Sequence, residues 1–393
     1  MQAAVHAFRN LKGDKAIWVV VALLAVFSLL SVYSSTGTMA FQFLRGHTEV
    51  YLIKHALVIA LGLTFTYICY MLHYMQYSRM APLLLLLAIP LLIYTLAFGA
   101  EINDARRWIA IPGIGLTFQT SDFAKMALII FVARSISSKQ HVIKDLNEAF
   151  VPIIAPVVVI CMLIAPADLS TAALLFATCL LMMFIGRVEM KYIGLLVLFG
   201  IVAIAILIII GTLLPEVVRL ETWVNRLNEF FGNADGGYQI QQAKIAIADG
   251  GLFGVGPGHS IQRNYLPYPY ADFIYAIICE EYGLLGGFTI IFLYLLLFIR
   301  CIRIVTKSPK TFGAILAMGL CLSLVIQAFA NIAVSLHLVP VTGLTLPLVS
   351  KGGTSMLFTC ISLGIILSVS RYIEQASQEV GTVEIKPLDE DHN

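Results

Sequence analysis

Residues 191–214 read KYIGLLVLFGIVAIAILIIIGTLL, and after Lys191 no charged residue follows until Glu216. The hydrocarbon core of a bilayer takes about 20 consecutive apolar residues in helical form to cross. This run fits that length and is apolar on every face, so it reads as a transmembrane helix. Comparable runs cover 17–35, 51–72, 80–98, 149–166, 168–186, 272–300, 311–337 and 353–372. A shorter stretch at 121–135 carries Asp122 and Lys125 and is included as an amphipathic, cavity-facing span. The predicted fold is therefore an all-α polytopic membrane protein of about ten transmembrane helices.

Composition leads to the same class. Of 393 residues, 59% are hydrophobic and 12% are charged, against roughly 25% charged in soluble domains. A soluble surface of this size cannot be covered that way. The balance of 25 Lys and Arg against 23 Asp and Glu gives no basic footprint for nucleic acid. Seven cysteines lie inside apolar stretches without a CxxC pair. They read as small buried hydrophobes rather than as disulfides or metal ligands.

Lys and Arg concentrate on the cytoplasmic side of membrane proteins. The short loop 300–310 holds Arg300, Arg303, Lys307 and Lys310 and no acid. Placing it inside puts both termini in the cytoplasm, with Arg9, Lys12 and Lys15 at one end of the chain and Lys386 at the other. The chain then divides into a cytoplasmic segment 1–16, a membrane domain 17–372 and a polar tail 373–393, expected to be solvated and poorly ordered. Two outer segments stand out, 99–120 and the large loop 215–271 between spans 7 and 8. Connections longer than ~15 residues are usually functional or disordered, and the apolar and aromatic content of 215–271 speaks against disorder.

Chemistry-bearing residues collect at the outer ends of the spans. Asp272 opens the eighth span just after Pro267 and Pro269. It reads either as a helix N-cap or as a carboxylate able to take a proton from a sugar hydroxyl. Arg106 and Arg107 flank Trp108 in the first outer segment. Asp122 and Lys125 sit three residues apart on one helix face, as a structural pair or a functional lysine, since intramembrane charges are costly unless paired or used. Asp168 reads as a loop acid or a cap, whereas Glu280 and Glu281 sit among apolar neighbours. The glycines at 250, 251, 254, 256 and 258 allow close backbone approach to a ligand or make a plain turn. Arg107, Lys125, Arg226 and Lys351 with Asp272 suit a diphosphate donor and a hydroxyl acceptor.

At these residues the chain resembles the SEDS family, which comprises FtsW, RodA and their sporulation relatives. ARRWI (105–109) and FQTSDFAK (118–125) are similar to the family's RW-I…FQPSE-AK stretch, and PADLSTA (166–172) to its QPDLGTA. GYQIQQA (237–243), GLFGVGPGHS (251–260), DFIYA…EEYG (272–283) and LTLPLVSKGGTS (344–355) match further signatures in order. The resemblance implies polymerisation of lipid II, an undecaprenyl-diphosphate-linked disaccharide peptide, at the outer face of the bacterial cytoplasmic membrane. Asp272 takes the catalytic carboxylate's place. Arg107, Lys125, Arg226, Gln239, Glu281, Ser350 and Lys351 are the substrate-binding candidates. A divalent cation, Mg2+ or Mn2+, is compatible with that chemistry. Expected partners are a class B penicillin-binding protein and other divisome membrane proteins, because GPGHS looks more like the FtsW form than the RodA form. A lipid II flippase and an elongation-type polymerase are the alternatives. The family's E-x-H-T-D is YPYAD here (268–272), and its SYGGSS is SKGGTS (350–355), with Lys351 in the aromatic's place. Roles of the missing Glu, His and Thr do not carry over, and Lys351 reads as an added phosphate contact or a snorkelling lysine.

Overall fold

A computed structural model describes residues 12–37, 48–102, 105–111, 116–213, 219–232 and 236–383. Arg9, Lys386 and the last part of the tail lie outside the described residues, as do the side chains of Arg106 and its neighbours 101–105. In chain order the helices are α1 Lys15–Ser35, α2 Thr48–Met71, α3 Tyr74–Phe98, α4 Thr120–Ser138, α5 Val151–Ile164, α6 Leu169–Ile185, α7 Met190–Leu213, α8 Leu220–Gly232, α9 Tyr238–Gly250, α10 Ile274–Lys307, α11 Thr311–Ser335 and α12 Gly353–Val383. Each expected span is met by a helix. Eight of them are long and apolar enough to cross a membrane; α5 is among these through the turn Leu146–Phe150 that leads into it. The other two are α6, apolar but only 17 residues long, and α4, which carries Asp122, Lys125 and Arg134. The last helix runs past the expected end of its span, to Val383.

α11 and α12 form the centre of the bundle, with 78% and 72% of their spanning windows buried, whereas α7 has 17%. α7 is the outermost span, which explains why its sequence is apolar on every face. One end of the bundle is tied by polar contacts. Asp14 caps α1 by accepting from the Ala16 amide at 2.9 Å, and its two oxygens take a forked pair of bonds from Arg300. The Lys12 amide donates to the Tyr70 hydroxyl, and the Gly13 amide to the Glu374 carboxylate.

The opposite end is built from the long segments. The first of them is not a plain loop: β1 Ala100–Ile102, β2 Ala105–Ile111 and β3 Leu116–Gln119 form a small antiparallel sheet in the order β1-β2-β3. Trp108 stands opposite Gln119 and Ile109 opposite Phe118. This sheet is an addition to the all-α expectation. Since β3 runs directly into α4, it brings Arg107 and Lys125 to one site from opposite ends of the segment.

α10 is broken at Gly283 (φ 67°, ψ −170°). The amides of Val255 and Gly256 donate to the carbonyls of Glu280 and Glu281, and the Leu284 amide donates to Gly251. At 1.5 Å rise per residue the break lies about 13 Å below the helix start. The loop 251–256 folds back against this break, and the freed backbone groups of α10 are satisfied by it. A Cβ at Gly254 or Gly283 would fall 2.2–2.3 Å from a backbone carbonyl oxygen, so close approach requires glycine at both.

Candidate active site

Asp272 lies in the turn before α10, whose N-cap is Phe273 with no side-chain capping bond. The cap reading of Asp272 is therefore corrected. Tertiary bonds fix its backbone instead. The Asp272 carbonyl accepts from Asn331 Nδ2 at 2.7 Å, the Ala271 carbonyl from Ser350 Oγ at 2.6 Å, and the Tyr270 carbonyl from the Lys351 amide at 2.9 Å. Asn331 Nδ2 also donates to the Leu344 carbonyl, and the Leu346 amide donates to Ser350 Oγ. With its main chain pegged to α11 and to the segment before α12, Asp272 can turn its carboxylate into a cavity of about 470 Å³. Among the described residues that carboxylate has no hydrogen bond or ion pair. Gly343 stands beside it with a φ of 71°; a Cβ there would lie in ordinary contact, 3.6 Å from Arg226 Nη2 and 3.9 Å from Asp272 Oδ2.

The cavity wall carries the expected cations. Arg107, on β2, donates from Nη1 to Asp168 Oδ2 at 2.7 Å and lies 5.3 Å from the centre of the Trp108 ring. Asp168 is the N-cap of α6, accepting from the Thr171 amide at 3.0 Å and the Thr171 hydroxyl at 2.9 Å. Lys125 pairs with Asp122 Oδ1 at 3.2 Å and donates to Gln327 Oε1 at 2.9 Å, while Gln327 Nε2 donates to the Thr345 carbonyl. The pair expected on α4 is thus present, and Lys125 still faces the cavity. Arg226, on α8, donates to the Thr342 carbonyl at 3.2 Å. Lys351, Gln239 and a further cation, Arg219, also line the cavity.

Burial raises Asp272 above the usual carboxylate range; the charges of Arg226 and Arg107 oppose this and that of Asp168 adds to it. Burial lowers Arg226 and, with the charge of Lys54, Lys351. Burial pushes the Tyr270 phenol up to about 12. A raised carboxylate is a better base than a free one.

Two of the eight candidates lie elsewhere. Glu281 is buried in α10 behind the loop, where it accepts from the Ser34 hydroxyl of α1; Arg263 Nη1 holds the same residue through the Ser34 carbonyl at 3.0 Å. Glu280 accepts from the Ile261 and Gln262 amides and the Ser260 hydroxyl. Both acids brace the glycine-rich loop rather than line the cavity. Ser350 is likewise a buried brace beneath Asp272. The residues that sequence reasoning missed are Asp168 as the holder of Arg107, Gln327 and Asn331 as tethers, and Tyr51 beside Lys351. Gln327 and Asn331 did carry a signal, two amides four apart within an apolar run. Among the described residues no group of three His, Cys, Asp or Glu gathers to hold a metal ion.

A family model for cell cycle proteins of the FtsW, RodA and SpoVE kind matches residues 14–375. Stage V sporulation protein E of Bacillus subtilis (strain 168) is 32% identical over 365 residues, covering 91% of this chain and 97% of that protein. A Trichlorobacter lovleyi protein named "Probable peptidoglycan glycosyltransferase FtsW" is 32% identical over 374 residues, covering 94% and 96%. Among solved structures, the rod shape determining protein RodA of Thermus thermophilus superposes with a TM-score of 0.66 at 23% identity, covering 92% of this chain and 98% of that one. A chain from a structure described as the structural coordination of polymerization and crosslinking by a peptidoglycan synthase complex gives 0.70 at 23%, with the same coverage. Matched along nearly its whole length in sequence and in fold, the chain belongs to the FtsW, RodA and SpoVE family of cell cycle proteins.

Proposed function

We propose that this protein is a peptidoglycan glycosyltransferase that joins lipid-linked disaccharides at the outer face of the cytoplasmic membrane. The observation that carries the reading is the Asp272 carboxylate, unpartnered among the described residues and facing a cavity walled by Arg107, Arg226, Lys125 and Lys351. These groups sit on β2, on α8, near the start of α4 and in the segments before α10 and α12, at one end of the bundle, which suits chemistry on a substrate already outside rather than passage through the membrane. Relatives named as peptidoglycan glycosyltransferase FtsW support lipid II as the substrate and septal synthesis during division as the setting.

Asp272 takes the proton of the acceptor's sugar 4-hydroxyl. The oxygen attacks the donor's anomeric carbon from the face opposite the leaving group, the bond from that carbon to the phosphate oxygen breaks, and the configuration inverts. The electron pair leaves with the lipid diphosphate. Arg107, Arg226 and Lys125 are preorganised for that growing charge, the kind of contribution that lowers a barrier most. Asp168 and Gln327 keep Arg107 and Lys125 aimed. A divalent ion arriving on the diphosphate needs only one or two carboxylates from the protein, and no step here depends on it. A class B penicillin-binding protein is the proposed partner, in keeping with the synthase complex among the structural relatives.

The test is glycan synthesis from lipid II by purified protein with its cognate penicillin-binding protein. Wild type makes polymer and Asp272→Asn makes none while staying folded and partner-bound. An Asn variant that polymerises at the wild-type rate would overturn the mechanism.

A further inference from the structure

Lys351 is built into the cavity differently from the other cations. Its Nζ lies 4.3 Å from the centre of the Tyr51 ring and 4.8 Å from that of Tyr270, and its amide donates to the Tyr270 carbonyl. Arg107 and Lys125 each have a carboxylate within 3.2 Å; Lys351 has no such partner among the described residues. Two ring faces hold an ammonium by its charge, but they do not use up its three donors as oxygen acceptors would. Lys54, one turn beyond Tyr51 on α2, adds a second positive charge that Lys351 feels.

The neighbouring backbone points the same way. Gly352, Gly353, Thr354 and Ser355 follow Lys351 along the cavity wall, and α12 starts at Gly353. The first-turn amides of a helix lack carbonyl partners within the helix and attract anions. The Thr354 hydroxyl pins this start to β3, donating to the Thr117 carbonyl and accepting from the Gln119 amide. An ammonium between two rings, without a counter-ion among the described residues, thus stands beside a fixed helix N-terminus.

The cations of the cavity are held by different elements: Arg107 by Asp168 at the start of α6, Lys125 by Asp122 and by Gln327 of α11, and Lys351 by the rings of Tyr51 on α2 and Tyr270. The transfer proposed above, on which this inference rests, brings together two molecules that each carry a lipid diphosphate. Only one diphosphate departs in a given transfer; the other remains on the product.

We infer that Lys351, with the start of α12, is the seat for the diphosphate of the second lipid-linked substrate, separate from the Arg107, Arg226 and Lys125 group that receives the leaving one. A single lysine between two rings holds a diphosphate without a forked grip, which suits a ligand that must move on after each transfer.

The experiment counts bound substrate without turnover. Protein carrying Asp272→Asn, in phosphatidylcholine nanodiscs, is titrated with fluorescent lipid II. Two molecules bind. Adding Lys351→Met weakens one of them about 10-fold, the loss expected for one charge-assisted hydrogen bond, and Lys351→Arg restores it. Lys351→Gln serves as a second neutral variant, with thermal melting as the check on folding. Two sites of unchanged affinity in both neutral variants overturn the inference and leave the proposed function standing. Displacement of the weaker molecule by excess phosphatidylglycerol also overturns it, showing a seat for ordinary headgroup phosphate. Absence of any lipid II binding in the Asp272→Asn protein overturns the proposed function itself.

Discussion

Replacing Asp168 by Asn separates the charge of this buried acid from its work as a helix cap. Its side chain is 7% exposed and that of Arg107 is 16%. One oxygen caps the Thr171 amide, and the other accepts from Arg107 and the Thr171 hydroxyl. Asn caps a helix about as well as Asp, so α6 keeps its start. What goes is the charged acceptor for Arg107. With its one oxygen on the Thr171 amide, Asn turns an NH2 donor toward Arg107, so the whole hydrogen bond to this charged group is lost, about 1.5–3 kcal/mol. If Arg107 meets the leaving diphosphate chiefly in the transition state, that becomes a loss of about tenfold or more in kcat.

The same substitution shifts the pH dependence. The charge of Asp168 adds to burial in holding Asp272 above the ordinary carboxylate range. Removing it lowers the Asp272 pKa, and an Arg107 freed from its partner lowers it further. The base works ionised, so activity is lost as pH falls through its pKa. The acid limb of kcat/KM must therefore move to lower pH in Asp168→Asn. Lipid II polymerisation measured from about pH 5 to 8 reads this limb directly. Asp168→Ala is the stability control, since it also loses about 1 kcal/mol of capping and melts lower. An acid limb that moves up, or an unmoved limb with wild-type kcat, refutes the placement of Asp168 beside the base.

Lys125→Ala leaves Asp122, 6% exposed and with Oδ2 already lacking a partner, as an uncompensated buried charge, at a cost of about 3–5 kcal/mol. Yield and melting temperature should fall, and the double variant Asp122→Asn with Lys125→Ala should recover both without recovering polymer; equal stability of single and double variants would contradict this. Gly283→Ala meets the Leu252 carbonyl oxygen at 2.3 Å and a φ of 67°, so folded protein should be largely lost. Gly251→Ala has nothing within 4 Å but a φ of 52° with ψ −143°, backbone that suits glycine, and should cost about 1–3 kcal/mol while still giving folded protein, a contrast that expression in membranes and thermal melting will show.

The spans were legible because the requirement behind them is local: about 20 apolar residues in a row, whatever else the chain does. The Asp122–Lys125 pair was legible for the same reason, since i,i+3 spacing on one helix decides it. Local reasoning failed where the site is assembled from afar. Pro269 and Asp272 look like the opening of a helix, yet α10 starts later because Asn331, Ser350 and the Lys351 amide take the carbonyls of 270–272. Glu281 looked functional because an acid among apolar residues demands an explanation. The explanation is the break at Gly283 and the loop that fills it, neither of which shows in the residues around Glu281.

The cost of burying polar groups narrows what such residues can be doing without naming their partners. An amide in an apolar run must be hydrogen-bonded, so Gln327 and Asn331, one turn apart on α11, were bound to be tethers. Their partners follow only from the packing of α11 against the segment before α12. Gln327 joins Lys125 to the Thr345 carbonyl, and Asn331 joins the Asp272 and Leu344 carbonyls. The candidate base and one of its cations are thus positioned by a single helix face, 78% of whose spanning window is buried. A site whose charges must stay within catalytic tolerance rests here on the most buried span of the bundle, while α7, the least buried span, contributes nothing to it among the described residues.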